Sequence, residues 1–328
     1  CSEETIVYAL PYMRIYSSGS LFVMMALGMN MFVTTQGFAT VSMRTVLIGA
    51  VCNIVLDPIF IYGLDMGVEG AALATVISQA VSGIWVVRFL TGKKTTLRLR
   101  KNTLRPSWRL MAPVLALGVS PFVMQSTEAL LNVSFNASLQ RYGGDVAVGA
   151  MTIASTVMQM VWIPAQGLGQ GAQPIISYNY GARNAKRVKE AFFALLKVSC
   201  AFLVSFWLLV QLFPRFFISI FNSDPQLVET AVWTLRVYTA VLGMFGVQMS
   251  VQQTFTAIGK AKASLFIACL RKVILLIPLI FLLPLFFENK VLAVFLAKPV
   301  SDFISVTASA ITFYLVFRPA MAALEKER

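Results

Sequence analysis

Apolar runs of about twenty residues, separated by short charged stretches, fill almost the whole of this 328-residue chain. Twenty residues of α-helix rise ~30 Å, the thickness of the hydrocarbon core of a bilayer. A membrane barrel strand would alternate polar and apolar residues, and these runs do not. Inside hydrocarbon every backbone polar group needs a partner within its own segment, so helices are the expected solution. Composition agrees: 58% of the residues are hydrophobic and 12% charged, and the mean hydropathy is +0.76. A soluble domain of this length carries far more polar surface. The expected fold class is therefore all-α, a polytopic membrane protein with nine transmembrane helices. They fall at roughly 6–30, 43–63, 70–90, 110–137, 146–174, 188–213, 227–256, 263–287 and 290–317.

The net charge of +13 suggests nucleic acid at first sight. The basic residues, however, lie in the loops, which is the pattern of a topology signal and not of a binding stripe. The 91–109 loop holds Lys93, Lys94, Arg98, Arg100, Lys101, Arg105 and Arg109. Arg183, Lys186, Arg187 and Lys189 occupy a second loop, and Lys260 and Lys262 a third. With nine spans these fall on one side, which the positive-inside rule makes cytoplasmic. The chain has no His, which excludes His-based relays and His metal sites. Cys1, Cys52, Cys200 and Cys269 are scattered, with no disulfide or metal spacing. No catalytic constellation is visible, so an enzyme is not expected. The start at Cys1 reads as a fragment or a processed start.

An internal repeat is legible. Gln36-Gly37-Phe38-Ala39-Thr40-Val41-Ser42 precedes a helix, and so does Ile258-Gly259-Lys260-Ala261-Lys262-Ala263-Ser264, with Gly and Ser matched 222 residues apart. Ala80-Val81-Ser82-Gly83-Ile84 similarly matches Pro299-Val300-Ser301-Asp302-Phe303 at an offset of 219. Spans one to three then correspond to spans seven to nine, a parallel repeat of the kind transporters use. If the halves are equal, about 110 residues and three helices are expected ahead of Cys1.

Polar groups within spans are costly, so each is a functional candidate. Asn53 and Asp57 share one helix face at i,i+4, and Pro58 follows. Proline removes an N–H and clashes with the carbonyl four residues back, so a kink is expected. A carboxylate, an amide oxygen and a freed carbonyl are hard donors, suited to Na⁺ or to a carboxyl that exchanges a proton. Glu128, Asn132 and Asn136 recur every four residues and form a polar stripe extended back by Gln125. Glu128 has no basic neighbour at i±4 and is expected to stand alone in the membrane, able to hold a proton or a cationic substrate. Lys298 and Asp302 are four apart and are expected to neutralise each other. Arg271 and Lys272 are expected to snorkel to the inner face.

These motifs resemble the multidrug and toxic compound extrusion (MATE) family, in particular its MepA-type bacterial branch. The resemblance is carried by Asn53-Ile54-Val55-Leu56-Asp57-Pro58-Ile59-Phe60-Ile61, by Gly67-Val68-Glu69-Gly70-Ala71-Ala72-Leu73-Ala74-Thr75, and by Gln173-Pro174-Ile175-Ile176-Ser177-Tyr178-Asn179-Tyr180-Gly181-Ala182-Arg183-Asn184. It implies twelve helices in two six-helix lobes, of which this chain lacks helices 1 to 3. Residues 1–92 would then be a partial N-lobe (helices 4–6) and 93–108 a cytoplasmic inter-lobe loop. Residues 109–318 would be a C-lobe (helices 7–12) and 319–328 a cytoplasmic tail.

The resemblance further implies alternating-access export of drugs or organic cations from the bacterial inner membrane in exchange for Na⁺ or H⁺, by a monomer without another cofactor. The family's N-lobe cation site takes an Asp from the first helix, absent from this chain, together with residues matching Asn53, Asp57 and Thr75, which makes those three a Na⁺ site candidate. The acid of helix 7 matches Glu128. Some members add an Asp within helix 10; in this chain the span 227–256 has only Glu229, at its outer end. A lipid-linked saccharide flippase of a related family is the alternative, and it would need a strongly cationic cavity.

Overall fold

The structure, a computed structural model, describes residues 3–97, 107–221 and 224–326. Of the predicted basic loop, Arg98, Arg100, Lys101 and Arg105 lie outside the described residues, as does Cys1. The described residues are mostly helical, with no strand among them, and they divide into two compact units, residues 1–107 and 108–328.

The first unit holds α1 (Glu3–Ser18), α2 (Ser20–Thr35), α3 (Ala39–Pro58) and α4 (Gly67–Thr91). The predicted span 6–30 is a broken one: α1 and α2 meet at Gly19 with a bend of 49°. Helix α4 packs against each of the other three. A small core of Val33, Val86 and Leu90 is sealed by Phe38 and Phe89, whose rings meet edge to face at 5.3 Å. Ser82 of α4 donates to the Thr45 carbonyl of α3 at 3.1 Å, satisfying a buried hydroxyl across the helix pair. Beyond Pro58 the backbone widens into a π turn, Ile59–Gly63, with the Leu64 N–H donating to the Ile59 carbonyl at 2.9 Å. The expected disturbance at Pro58 thus takes the form of a register change.

The second unit holds α5 (Trp108–Gly181), α6 (Ala185–Leu212), α7 (Pro214–Ser219), α8 (Pro225–Tyr238), α9 (Phe245–Ala257), α10 (Ala261–Cys269), α11 (Ile277–Phe286) and α12 (Lys290–Lys326). Helix α5 is broken at Gly144, where φ 61° and ψ −157° leave the helical region. Only glycine takes that conformation without strain. A π turn, Leu270–Leu276, joins α10 to α11. The predicted tail 319–328 continues α12 as helix to Lys326. Phe192, Phe313 and Phe317 stack near the end of this helix, with centroids of neighbouring rings 4.2 and 4.3 Å apart. A larger core joins Leu131, Phe135 and Leu139 of α5 to Leu235, Ile280 and Phe295.

Among the described residues, seven helices are long and apolar enough to cross a membrane, and eight if the bent α1–α2 pair is one span. Many large apolar side chains point outward, among them Ile54, Leu130, Leu212 and Phe286. That surface suits acyl chains and not water.

The two repeat motifs adopt the same turn. Gly37 and Gly259 both have positive φ, 87° and 73°. In each, the next residue's N–H closes a six-residue turn onto a helix carbonyl: Phe38 to Val33 at 3.2 Å, and Lys260 to Phe255 at 2.8 Å. In each, a Thr hydroxyl meets a Ser hydroxyl across the turn: Thr34 with Ser42 at 2.9 Å, and Thr256 with Ser264 at 3.4 Å. The serines of the second matched pair act alike too, since Ser301 donates to the Arg271 carbonyl at 2.7 Å as Ser82 does to Thr45.

Candidate functional site

In the first unit Asn53 and Asp57 are brought together as their spacing predicts. The Asn53 amide Nδ2 donates to Asp57 Oδ1 at 3.1 Å, and both side chains are half-buried. The bond leaves Asp57 Oδ2 and the Asn53 amide oxygen to accept from, or coordinate, something else. Thr75 is turned to its own helix, donating to the Ala71 carbonyl at 2.9 Å. A hydroxyl with that bond still offers an oxygen lone pair. The three residues are therefore oxygen donors on packed neighbours, α3 and α4, which suits a Na⁺ ligand set in chemistry. Among the described residues no group of three or more His, Cys, Asp or Glu gathers as a metal site.

The second unit departs from expectation. Glu128 does not stand alone: Lys272 of the π turn donates to its Oε2. The sequence hid this partner because it lies 144 residues away. Glu128 is also not hidden, since its side chain is 54% exposed. Gln125, Asn132 and Asn136 are exposed as well, so the whole polar stripe lies open along one face of α5. At membrane depth, lipid is a poor neighbour for such a stripe, so this face must look onto water or other polar groups.

Arg271 and Lys272 do not snorkel. Lys272 follows Lys262, at the start of its candidate span, by ten residues, or ~15 Å of helix. That is half the hydrocarbon thickness, too deep for a side chain to reach the inner surface. Instead Arg271 donates to Asp302 Oδ1 at 3.3 Å and lies 4.9 Å from the Phe245 ring centroid. Lys298 donates to Asp302 Oδ2 at 2.6 Å, which is the predicted i,i+4 pair. Its ammonium also sits 4.8 Å from the centroid of Tyr238, which packs edge to face on Phe135. Sequence reasoning misses the charge network that joins α5, the π turn and α12. The depth of two adjacent bases within one span is the signal that could have found it.

The motif at 173–184 has a structural task. Ser177 donates to the Ala257 carbonyl at 2.8 Å, tying α5 to the end of α9. Asn179 is buried and donates to Ile175 at 2.8 Å. Asn184 caps α6, its side chain accepting from the Arg187 N–H at 3.2 Å.

Comparison with known proteins adds the family. Residues 121–282 match the MatE family. Among curated relatives, the multidrug export protein MepA of Staphylococcus haemolyticus (strain JCSC1435) is 28% identical over 283 residues, covering 86% of this chain and 62% of that protein. MepA of Staphylococcus aureus (strain N315) is 25% identical over 280 residues, covering 85% of this chain and 61% of that protein. The chain thus spans about three-fifths of the length of these relatives. Among solved structures, MATE in the bent conformation superposes with a TM-score of 0.88 at 22% identity, covering 100% of this chain and 72% of that one. A MOP superfamily transporter from Pyrococcus furiosus, described as having a binding pocket of reverse polarity, gives 0.87 at 21% identity and covers 97% of this chain and 70% of that one. Family match, relatives and fold point the same way: the chain is similar to the MatE family over residues 121–282, and to the MepA export proteins over 85–86% of its length.

Proposed function

We propose that this protein is an exporter of drugs or organic cations, working by antiport against Na⁺ or H⁺ through alternating access, and not an enzyme. Its substrates are small, amphipathic and cationic, and it works as a monomer in the bacterial cytoplasmic membrane. The chain crosses that membrane nine times, the bent α1–α2 pair counting as one span and the two arms of α5, broken at Gly144, as two. The observation that carries the reading is the exposed stripe of Gln125, Glu128, Asn132 and Asn136 on a helix that exposes the apolar Leu130 and Val133 beside it. A polar stripe with one carboxylate gives an organic cation both charge and hydrogen-bond acceptors along a route through hydrocarbon. Asn53, Asp57 and Thr75 supply the oxygen donors of a second cation site in the first unit, where Na⁺ or a proton would bind. A ligand biases one conformation only by its differential affinity for the two, so cation and cargo need sites whose accessibility changes together.

The test is efflux of ethidium from vesicles carrying the purified protein under an imposed Na⁺ or H⁺ gradient. Glu128→Gln and Asp57→Asn are each expected to lower efflux about ten- to a hundredfold, the range for losing one charged hydrogen-bond partner. Unchanged efflux in both variants would refute the assignment.

A second reading, transport of an anionic lipid-linked saccharide, has one observation in its favour. Arg271, Lys272 and Lys298 outnumber their acidic partners Glu128 and Asp302 by three to two. Each base is already paired, however, and the open residue of the cluster is the acid. Competition of ethidium efflux by an isoprenyl pyrophosphate separates the two readings.

A further inference from the structure

We propose that Lys272 is a built-in counter-cation for Glu128, and that cationic cargo occupies this site by displacing the lysine ammonium from the carboxylate. The inference rests on the transport reading above and concerns how the site binds and lets go. It stands on the asymmetry of the pair, on the way its backbone is held, and on the charge count around it.

The pair is open on one side only. Glu128's side chain is 54% exposed, and that of Lys272 is 9% exposed. A ligand moving along the face of Asn132 and Asn136 meets the carboxylate first, while the ammonium approaches from within the bundle. A cation can therefore compete for Glu128 without first burying itself.

The backbone under Lys272 is anchored next door. Arg271 is fixed by Asp302 at 3.3 Å, by the Phe245 ring at 4.9 Å and, through its carbonyl, by Ser301 at 2.7 Å. Lys272 itself extends from the π turn to Glu128 on another helix. π turns are rare and collect at functional sites. In this unit the wide turn lets two consecutive bases serve two different acids. One of those acids, Asp302, is buried with a 4% exposed side chain, and the other is open. The first pair is a fixture; the second is the exchangeable one.

The charge count sets the direction of the effect. Three bases and two acids leave the cluster one positive charge in surplus. A monocation bound at Glu128 raises that surplus to two and strips a buried ammonium of its partner, an arrangement low-dielectric surroundings strongly oppose. The occupied site is thus held under tension, and the return of Lys272 to Glu128 expels the cargo. Lys272 is then a specificity-determining residue that weakens binding and quickens release.

The experiment is equilibrium binding of ethidium, by fluorescence polarisation, to the purified protein and its Lys272→Met, Lys272→Arg and Glu128→Gln variants, with efflux measured in parallel. Met keeps the length of the side chain and removes the charge. Lys272→Met is expected to bind about tenfold or more tightly while its maximal efflux rate falls, because release has lost its driving partner. Lys272→Arg holds the carboxylate with a bidentate fork and is expected to bind more weakly than the unaltered protein. Glu128→Gln is expected to lose binding. If Glu128→Gln weakens binding but Lys272→Met does not tighten it, Lys272 is only a clamp and the proposal is overturned while the transport site stands. If Glu128→Gln binds as the unaltered protein does, the site assignment fails and the proposal fails with it. Should Lys272→Met not fold, Lys272→Arg decides: binding equal to or tighter than that of the unaltered protein overturns the proposal.

Discussion

Asp302 and Glu128 are both carboxylates held by bases at membrane depth, yet burial separates what their loss would cost. Asp302 serves two cations, Arg271 and Lys298, and the three side chains are 4%, 17% and 12% exposed. Removing one partner of a buried ionic group leaves an uncompensated charge and costs ~3–5 kcal/mol. Glu128 is half exposed, so the cost of its loss falls on the single buried ammonium of Lys272. Asp302→Asn, which strands two buried cations, is therefore expected to lower the unfolding temperature in detergent markedly, and Glu128→Gln, which strands one, by less. Equal shifts would show that the two pairs do the same job. The same contrast explains what the sequence makes legible. Lys298 and Asp302 are four residues apart on one helix, so their pairing follows from helical geometry alone. Asn53 and Asp57 pair for the same reason. Glu128 and Lys272 are joined only by tertiary packing, which no local spacing encodes.

At the scale of the element, apolar length is enough to locate the helices, because a span is a length requirement before it is a pattern. The π turns at Ile59–Gly63 and Leu270–Leu276 are less visible. Pro58 announces the first, since a missing N–H must disturb the ladder. The second falls in a run of Leu, Val and Ile around Arg271 and Lys272 and carries no such mark. The two glycine turns at 37 and 259 are legible as a motif because both need positive φ, which glycine supplies without strain. Close helix contact is a different use of the same residue. A Cβ at Gly246 of α9 would stand 2.9 Å from the backbone N and Cα of Cys200 on α6, closer than atoms pack. Backbone cannot rotate away as a flexible side chain can. Gly246→Val should force α6 and α9 apart at a cost of about 1–3 kcal/mol, read as a lower midpoint in denaturant titration of the purified protein. A variant as stable as the parent would mean that the two helices slide freely.

For the molecule as a whole, the path of the chain through the bilayer turns on one residue. Helix α5 runs for 74 residues, ~110 Å of rise if straight, against ~30 Å of hydrocarbon. It cannot cross once, and the backbone at Gly144 breaks it, with φ 61° and ψ −157°. A side chain at that position finds open space, so the obstacle to substitution is backbone strain alone. Gly144→Ala is expected to cost about 1–3 kcal/mol, measured by thermal unfolding in detergent. If Gly144 is where the chain turns back, Asp145 lies outside together with Asn289, and Lys186 and Lys262 lie on the basic, cytoplasmic side. In intact cells, single-cysteine variants at 145 and 289, made after replacing the native cysteines, should react with a membrane-impermeant maleimide. Those at 186 and 262 should react only after permeabilisation. Labelling of 145 and 186 from the same side would place both ends of the second arm of α5 together. The nine-span path would then fail, and with it the placement of the stripe at Glu128 within the membrane, whatever the chemistry of its lysine partner.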